Sequence, residues 1–262
     1  MTIDVVPTPR PVPAPLVRRV AVDRPWAWLA AGWRDLMAAP HVGFTIGAAL
    51  TAAGWALTAL LLRAGLAWAI LPATAGFFLV APLLAAGLYE ASRRRALGEP
   101  VTLGPAVRGG FARNGSQLAL AGLALLLLHL VWVRTAGLLF ALFFGLGEAP
   151  PLESLPMAVL RSDLLLPFLA VGTGAGAVLA LAAFAVSAVS IPMLVDRPDV
   201  SAPEAMLRSV RVVAENPGAM AFWAGLIVVL TAMALLPFFL GLALVLPLVG
   251  HASWHAYRDL IP

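Results

Sequence analysis

The sequence predicts an all-α fold, a polytopic membrane helical bundle. Three observations carry that prediction. Hydrophobic residues fill 61% of the 262 positions and charged residues only 11%, against about 25% charge in an ordinary soluble domain. The apolar residues gather into runs of roughly 20, the length a helix needs to cross a bilayer. Short arginine-bearing segments separate the runs, and most of the arginines fall on one side of the implied membrane. With a mean hydropathy of +0.94, the chain holds more apolar residues than one soluble core can hide. A water-soluble globular enzyme is excluded.

Residues 1–25 contain Pro7, Pro9, Pro11, Pro13, Pro15 and Pro25 among small and basic residues. This stretch reads as an extended, polyproline-like, disordered cytoplasmic tail. No apolar run follows within signal-peptide distance, so a cleaved secretory signal is not expected. Residues 26–262 form the transmembrane domain. Six spans are expected: Gly43–Leu62, Leu66–Tyr89, Gln117–Phe144, Leu164–Val195, Ala219–Leu236 and Phe238–Tyr257. The third and fourth are long enough to tilt. The fifth and sixth are separated only by Leu236-Pro237-Phe238, which implies a tight hairpin.

The six spans pair as three hairpins, each preceded by a short interfacial amphipathic helix. In the first such helix Trp26, Leu29, Ala30, Trp33 and Met37 make an apolar stripe, with Arg34 and Asp35 off it; Ala39-Pro40-His41 ends it. In the second, Leu103, Val107 and Phe111 form the stripe, Arg108 and Arg113 the polar side, and Asn114-Gly115 the turn. In the third, Ser201-Ala202-Pro203-Glu204 reads as a capping box. Glu204, Arg208, Arg211 and Glu215 share one face there, and Asn216-Pro217-Gly218 is the terminator. Tryptophans such as Trp26 and Trp33 suit the headgroup region. Such helices either form a collar that docks a partner or gathers lipid, or simply connect the hairpins.

Fourteen of the 17 basic residues lie in segments on the N-terminal side of the membrane, leaving Arg63, Arg134 and Arg161 on the other. Under the positive-inside rule both termini are cytoplasmic. The basic character therefore reports topology, and nucleic-acid binding is not expected. All 17 are Arg, which excludes a Schiff-base or P-loop lysine; the absence of cysteine excludes disulfides and thiolate-ligated clusters.

Few residues point to chemistry. His251 and His255 share a helix face, a spacing that can bind a metal, with Asp259 one turn on. A bis-histidine haem would pair His251 with His129, yet their depths, roughly 9 and 18 Å from the inner surface by helix rise, do not match. Arg134 either snorkels to the outer interface or is a buried intramembrane charge. Gly172 and Gly176 have the spacing of a close helix–helix contact. Glu148, Glu153 and Asp163 make the outer loop acidic. No paired intramembrane carboxylates and no nucleophile–base pair stand out, so no enzyme activity and no cofactor are expected.

Three strings, Gly32-Trp33-Arg34-Asp35-Leu36, Ser190-Ile191-Pro192-Met193-Leu194-Val195-Asp196-Arg197 and Leu246 to Arg258, resemble a bacterial six-helix integral-membrane family of unknown function. Its members are sometimes labelled cytochrome c oxidase subunit I-like. The resemblance runs from about Trp26 to the end and implies no catalytic residues. Four histidines and six spans cannot supply that catalytic subunit's twelve spans and six histidine ligands. The resulting expectation is a non-catalytic structural or accessory protein of the bacterial inner membrane. Its partners are the lipid bilayer and another membrane protein, such as a respiratory complex, with no nucleic acid and no small-molecule substrate. Two alternatives stand beside it: a small-solute transporter or channel, and a haem or metal carrier.

Overall fold

The computed structural model describes residues 17–66, 70, 73–74, 81–145 and 162–262. Among them the regular elements are all helical. Helix α1 spans Arg24–Ala38, α2 Pro40–Arg63, α3 Ala86–Ala96, α4 Leu103–Ala112 and α5 Gly115–Phe144. They are followed by α6 Leu165–Ser187, α7 Ser190–Asp196, α8 Ala202–Glu215, α9 Pro217–Leu235 and α10 Leu242–Leu260.

Among the described residues, four stretches are long and apolar enough to cross a membrane: α2, α5, Leu165–Asp196 (α6 continued into α7) and α9. They correspond to the first, third, fourth and fifth expected spans. Much of the expected second span lies outside the described residues. The expected sixth is different in kind. Helix α10 starts at Leu242, and its last half carries His251, Ser253, His255, Tyr257, Arg258 and Asp259. It packs against α1, α2, α3, α7 and α9, so its polar face meets protein. A count of six spans is therefore coarser in the structure: all-helical, with four candidate spans.

Two breaks have local causes. The fourth span is interrupted at Ala188-Val189 because Pro192 has no N–H to offer the carbonyl four residues back, and its ring crowds that carbonyl. Ser187 and Ser190 donate to the carbonyls of Ala183 and Val186 at 2.7 and 2.6 Å around this break, and the Val189 N–H finds Ser209 Oγ at 3.3 Å. Between α9 and α10 the chain makes a turn through residues 236–241, longer than the tight hairpin expected at Leu236-Pro237-Phe238. Phe238 and Phe239 adopt φ of 51° and 67° there, a left-handed conformation costing a non-glycine residue about 1–2 kcal/mol. Trp55 Nε1 donates to the Phe238 carbonyl at 2.6 Å and ties the turn to α2.

Burial is concentrated at the arginine-rich end. Helix α2 buries Val42, Gly43, Ile46, Gly47 and Thr51, all in its first half. Helix α5 buries only Leu118, Ala121 and Leu125, and α6 only Ala183 and Ser187 in its last turns. The main core joins Trp28, Tyr89, Met193, Leu194, Trp223, Trp254, Tyr257 and Leu260. It extends back to Val17, 6% exposed, so the packed chain begins inside the segment read as a disordered tail. The Arg18 N–H donates to the Leu260 carbonyl at 2.8 Å. Asn216 accepts from the Val20 N–H at 2.9 Å and donates to the Arg18 carbonyl at 3.1 Å.

Glycines set the closest crossings. A Cβ on Gly32 of α1 would lie 2.6 Å from the Ala252 backbone nitrogen of α10, and one on Gly110 of α4 would lie 2.6 Å from the Ala86 carbonyl of α3. Small residues let backbones approach this closely, which is how membrane helices pack without a hydrophobic drive between them. Trp28 and Leu36 of α1 are buried, but several other large apolar residues of the short helices face outward. Trp26, Trp33 and Met37 of α1, Val107 and Phe111 of α4, and Leu207 and Val210 of α8 are exposed.

Candidate functional site

Three short helices and the end of α10 converge where the charged residues gather. Asp35, on α1, is buried and forms the hub of one cluster. It accepts from Ser92 Oγ of α3 at 2.6 Å and from Arg95 Nη1, and it contacts His255 Nε2 of α10 at 2.9 Å. Ser92 Oγ lies 2.7 Å from His251 Nδ1. Burial disfavours the Asp35 charge, but the hydrogen bonds from His255 and Ser92 outweigh it and hold the carboxyl below the usual carboxylate range. The order of contacts is His251, Ser92, Asp35, His255. A nucleophilic relay needs the imidazole between hydroxyl and carboxylate; here the hydroxyl stands in the middle.

A second cluster surrounds Glu90, which is fully buried. It accepts from Arg93 Nε and Nη2 at 2.7 and 2.9 Å and from Arg94 Nε at 2.8 Å, with Arg113 Nε at 3.8 Å. Here too burial works against the charge, and the hydrogen bond and charge of Arg93, then the charges of Arg113 and Arg94, depress the carboxyl. A third centres on Asp259, which accepts from Trp28 Nε1 at 2.9 Å and from Arg24 and Arg18. Its carboxyl is lowered in the same way: burial opposes, while Arg24 and Trp28 prevail. A fourth links Asp196 to Tyr257 Oη at 2.7 Å and Arg258 at 3.0 Å, while Arg197 donates to Tyr257 at 3.0 Å. The Asp35, Asp259 and Asp196 clusters join elements distant in sequence and bind the helices together, whereas the Glu90 cluster is mostly internal to α3 and reaches outside it only to Arg113.

The sequence-marked residues separate into different places. His251 and His255 do share a cluster, with His251 Nδ1 engaged by Ser92 and His255 Nε2 by Asp35. Asp259 belongs to the arginine cluster and not to theirs. Among the described residues no group of three or more His, Asp or Glu is arranged to hold a metal ion. His129 lies on α5, which shares no packed seam with α10; its Nδ1 and Trp132 Nε1 are buried without hydrogen-bond partners among the described residues. Arg134 and Thr173 are exposed on α5 and α6. Gly176 meets the Trp132 indole, a Cβ there lying 3.1 Å from the ring, whereas Gly172 has nothing within 4 Å. The close contact expected of the pair is thus with one side chain at one glycine. Ser201 Oγ accepts from the Glu204 N–H at 3.4 Å, but the Glu204 carboxylate pairs with Arg208 instead of closing the capping box. Arg211 is exposed. Glu148 and Glu153 lie outside the described residues.

Sequence reasoning missed Ser92 and misplaced Asp35. An isolated serine before Arg93-Arg94-Arg95 carries no signal of its own. Asp35 is set off the apolar stripe and carries no local signal of burial; its place one turn from Gly32, where α1 crosses α10 closely, is the available clue.

Residues 70–196 match the family DUF2189, described as a predicted integral membrane protein. No curated protein and no solved structure matches the chain. The matched region includes α3 to α7 and thus the whole Glu90 cluster. The Asp35 cluster is only partly covered, since α1 and α10 lie outside the match. With four helices able to span a bilayer, the chain is a multi-pass integral membrane protein.

Proposed function

We propose that this chain is a non-catalytic structural or accessory component that packs against another membrane protein. One observation carries the reading: burial is concentrated at the arginine-rich end, and beyond it the spans expose many large apolar side chains. Helix α5 runs for 30 residues, yet only 6% of its apolar window is buried by its own chain. At 1.5 Å per residue it is about 45 Å long, against a hydrocarbon core of about 30 Å. Large exposed faces of this kind mark surfaces that meet lipid or a partner. The setting proposed is a bacterial inner membrane with six spans and both termini cytoplasmic, which the arginine asymmetry supports. The oxidase-like label attached to similar proteins suggests a respiratory complex as the class of partner.

Absence of catalysis is supported by the Asp35 cluster, whose hydroxyl is tied to a carboxylate instead of freed by a base. Transport requires a shared polar path. Against it stand Arg134 and Thr173, exposed on their helices, and Ser187, bonded to its own backbone. A haem or metal carrier finds no support in His251 and His255, which have no third His, Asp or Glu arranged with them to hold a metal among the described residues. Purification from native membranes in a mild detergent tests the proposal. A stoichiometric membrane-protein partner is expected; recovery of the chain alone in every detergent tried would overturn it.

A further inference from the structure

The corner between α1 and α2 encloses a pocket of about 180 Å³, lined by Asp35, Ala38, His41, Arg95 and His251 among others. Hydrogen-bond stoichiometry fixes what it offers. An ionised Asp35 only accepts, so the single Ser92 proton is committed to Asp35 Oδ2 at 2.6 Å. The 2.7 Å contact from Ser92 to His251 then requires Nδ1 to be the donor. In the neutral ring Nε2 is left as a bare acceptor. His251 is 3% exposed, and its Nε2 has no partner among the described residues. His251 lines the pocket, and a ring nitrogen with an unspent lone pair there can accept an N–H or O–H donor.

The mouth has the opposite character. Arg95 is 39% exposed and spends Nη1 on Asp35, leaving other guanidinium N–H groups free to donate. His41 is exposed beside it. An acceptor on the floor, next to a carboxylate, and donors at the rim complement an ammonium joined to a phosphate. The location agrees. The pocket lies where α1, with Trp26 and Trp33 on its outer surface, turns into the α2 span. That is headgroup depth.

We propose that this pocket holds the phosphoethanolamine headgroup of a phospholipid, with its ammonium on His251 Nε2 beside Asp35 and its phosphate at Arg95 and His41. Choline carries the same charges but no N–H, and glycerol carries no cation. The pocket therefore distinguishes ethanolamine from both headgroups.

The test is native mass spectrometry of the full chain in detergent with an equimolar mixture of phosphatidylethanolamine, phosphatidylcholine and phosphatidylglycerol of identical acyl chains. Retention of one phosphatidylethanolamine, preferred about tenfold over phosphatidylcholine, is expected from one charge-assisted hydrogen bond. His251→Asn keeps a donor near the Nδ1 position for Ser92 but no acceptor at Nε2, and should bind the two lipids equally. Ala38→Trp, at an exposed rim position, fills the mouth and should lose the bound lipid; it decides the matter if His251→Asn does not fold. Equal binding by the wild type, preference for phosphatidylglycerol, or an ethanolamine preference surviving in His251→Asn would each overturn the proposal. So would stoichiometric zinc that His251→Asn releases.

Discussion

Replacing Glu90 by glutamine isolates what the arginine-rich end contributes to stability. The amide would keep the shape of the side chain, remove its charge, and turn an N–H₂ group toward guanidinium donors. Three arginines lose a partner, but not equally. Arg93 is 5% exposed, whereas the Arg94 and Arg113 side chains are 23% and 36% exposed and can turn to water or headgroups. The cost is therefore that of stranding one buried cation, about 3–5 kcal/mol. Thermal unfolding of the detergent-solubilised protein, followed by the fluorescence of its eight tryptophans, reads the effect. Removing both members of a buried pair is far milder than removing one, so Glu90→Gln combined with Arg93→Met should recover most of the loss. A single variant within about 0.5 kcal/mol of wild type, the range of an ordinary surface change, would refute the reasoning. So would a double variant less stable than the single one.

Three further outcomes are expected. Gly32→Val forces α1 off the Ala252 backbone and should destabilise by about 1–3 kcal/mol, measured in the same unfolding assay; no change would mean the α1–α10 crossing is looser than described. Asn216→Ala removes the side chain that holds Val20 and Arg18, and should speed trypsin cleavage at Arg18 and Arg19 in the folded protein, read by mass spectrometry. The carboxyls of Asp35, Glu90 and Asp259 are all lowered in the folded state. Their stabilisation is thus present above the unfolded carboxylate range, near pH 4, and is lost as pH falls through the lower folded values. Burial also lowers His251 to about 4, so protonation favours the unfolded chain once pH falls below about 6.5. Unfolding midpoints should decline from there and drop further through the carboxylate range, and a midpoint that rises on acidification would contradict these assignments.

The fold was legible where membrane physics acts on whole segments. Runs of about 20 apolar residues mark α2, α5, α6 and α9 because an unpaired backbone in lipid is costly. Pro40 and Asn216-Pro217 read as helix ends for equally local reasons, and in the structure each proline also opens the next helix. Helix α10 was harder to read because Leu242–Leu248 reads like the start of a span, while the polar residues after it gain their meaning only from α1 and α3. The site was less legible still. Asp35 and Ser92 are 57 positions apart, on two helices that each pack against α10. The terminators Asn114 and Asn216 read as turns; their amides also bridge distant segments, Asn114 to the Val200 carbonyl and Asn216 to the residues before α1. No local pattern encodes such partners.

A photo-crosslinking amino acid placed in α5 at Leu127, Leu138 or Leu142, all more than half exposed, tests the proposed role most directly. Irradiated in intact cells, these positions should yield one discrete adduct with another membrane protein, while the buried position Leu118 yields none. Adducts with lipid alone from every α5 position would contradict an accessory role built on packing against a protein partner.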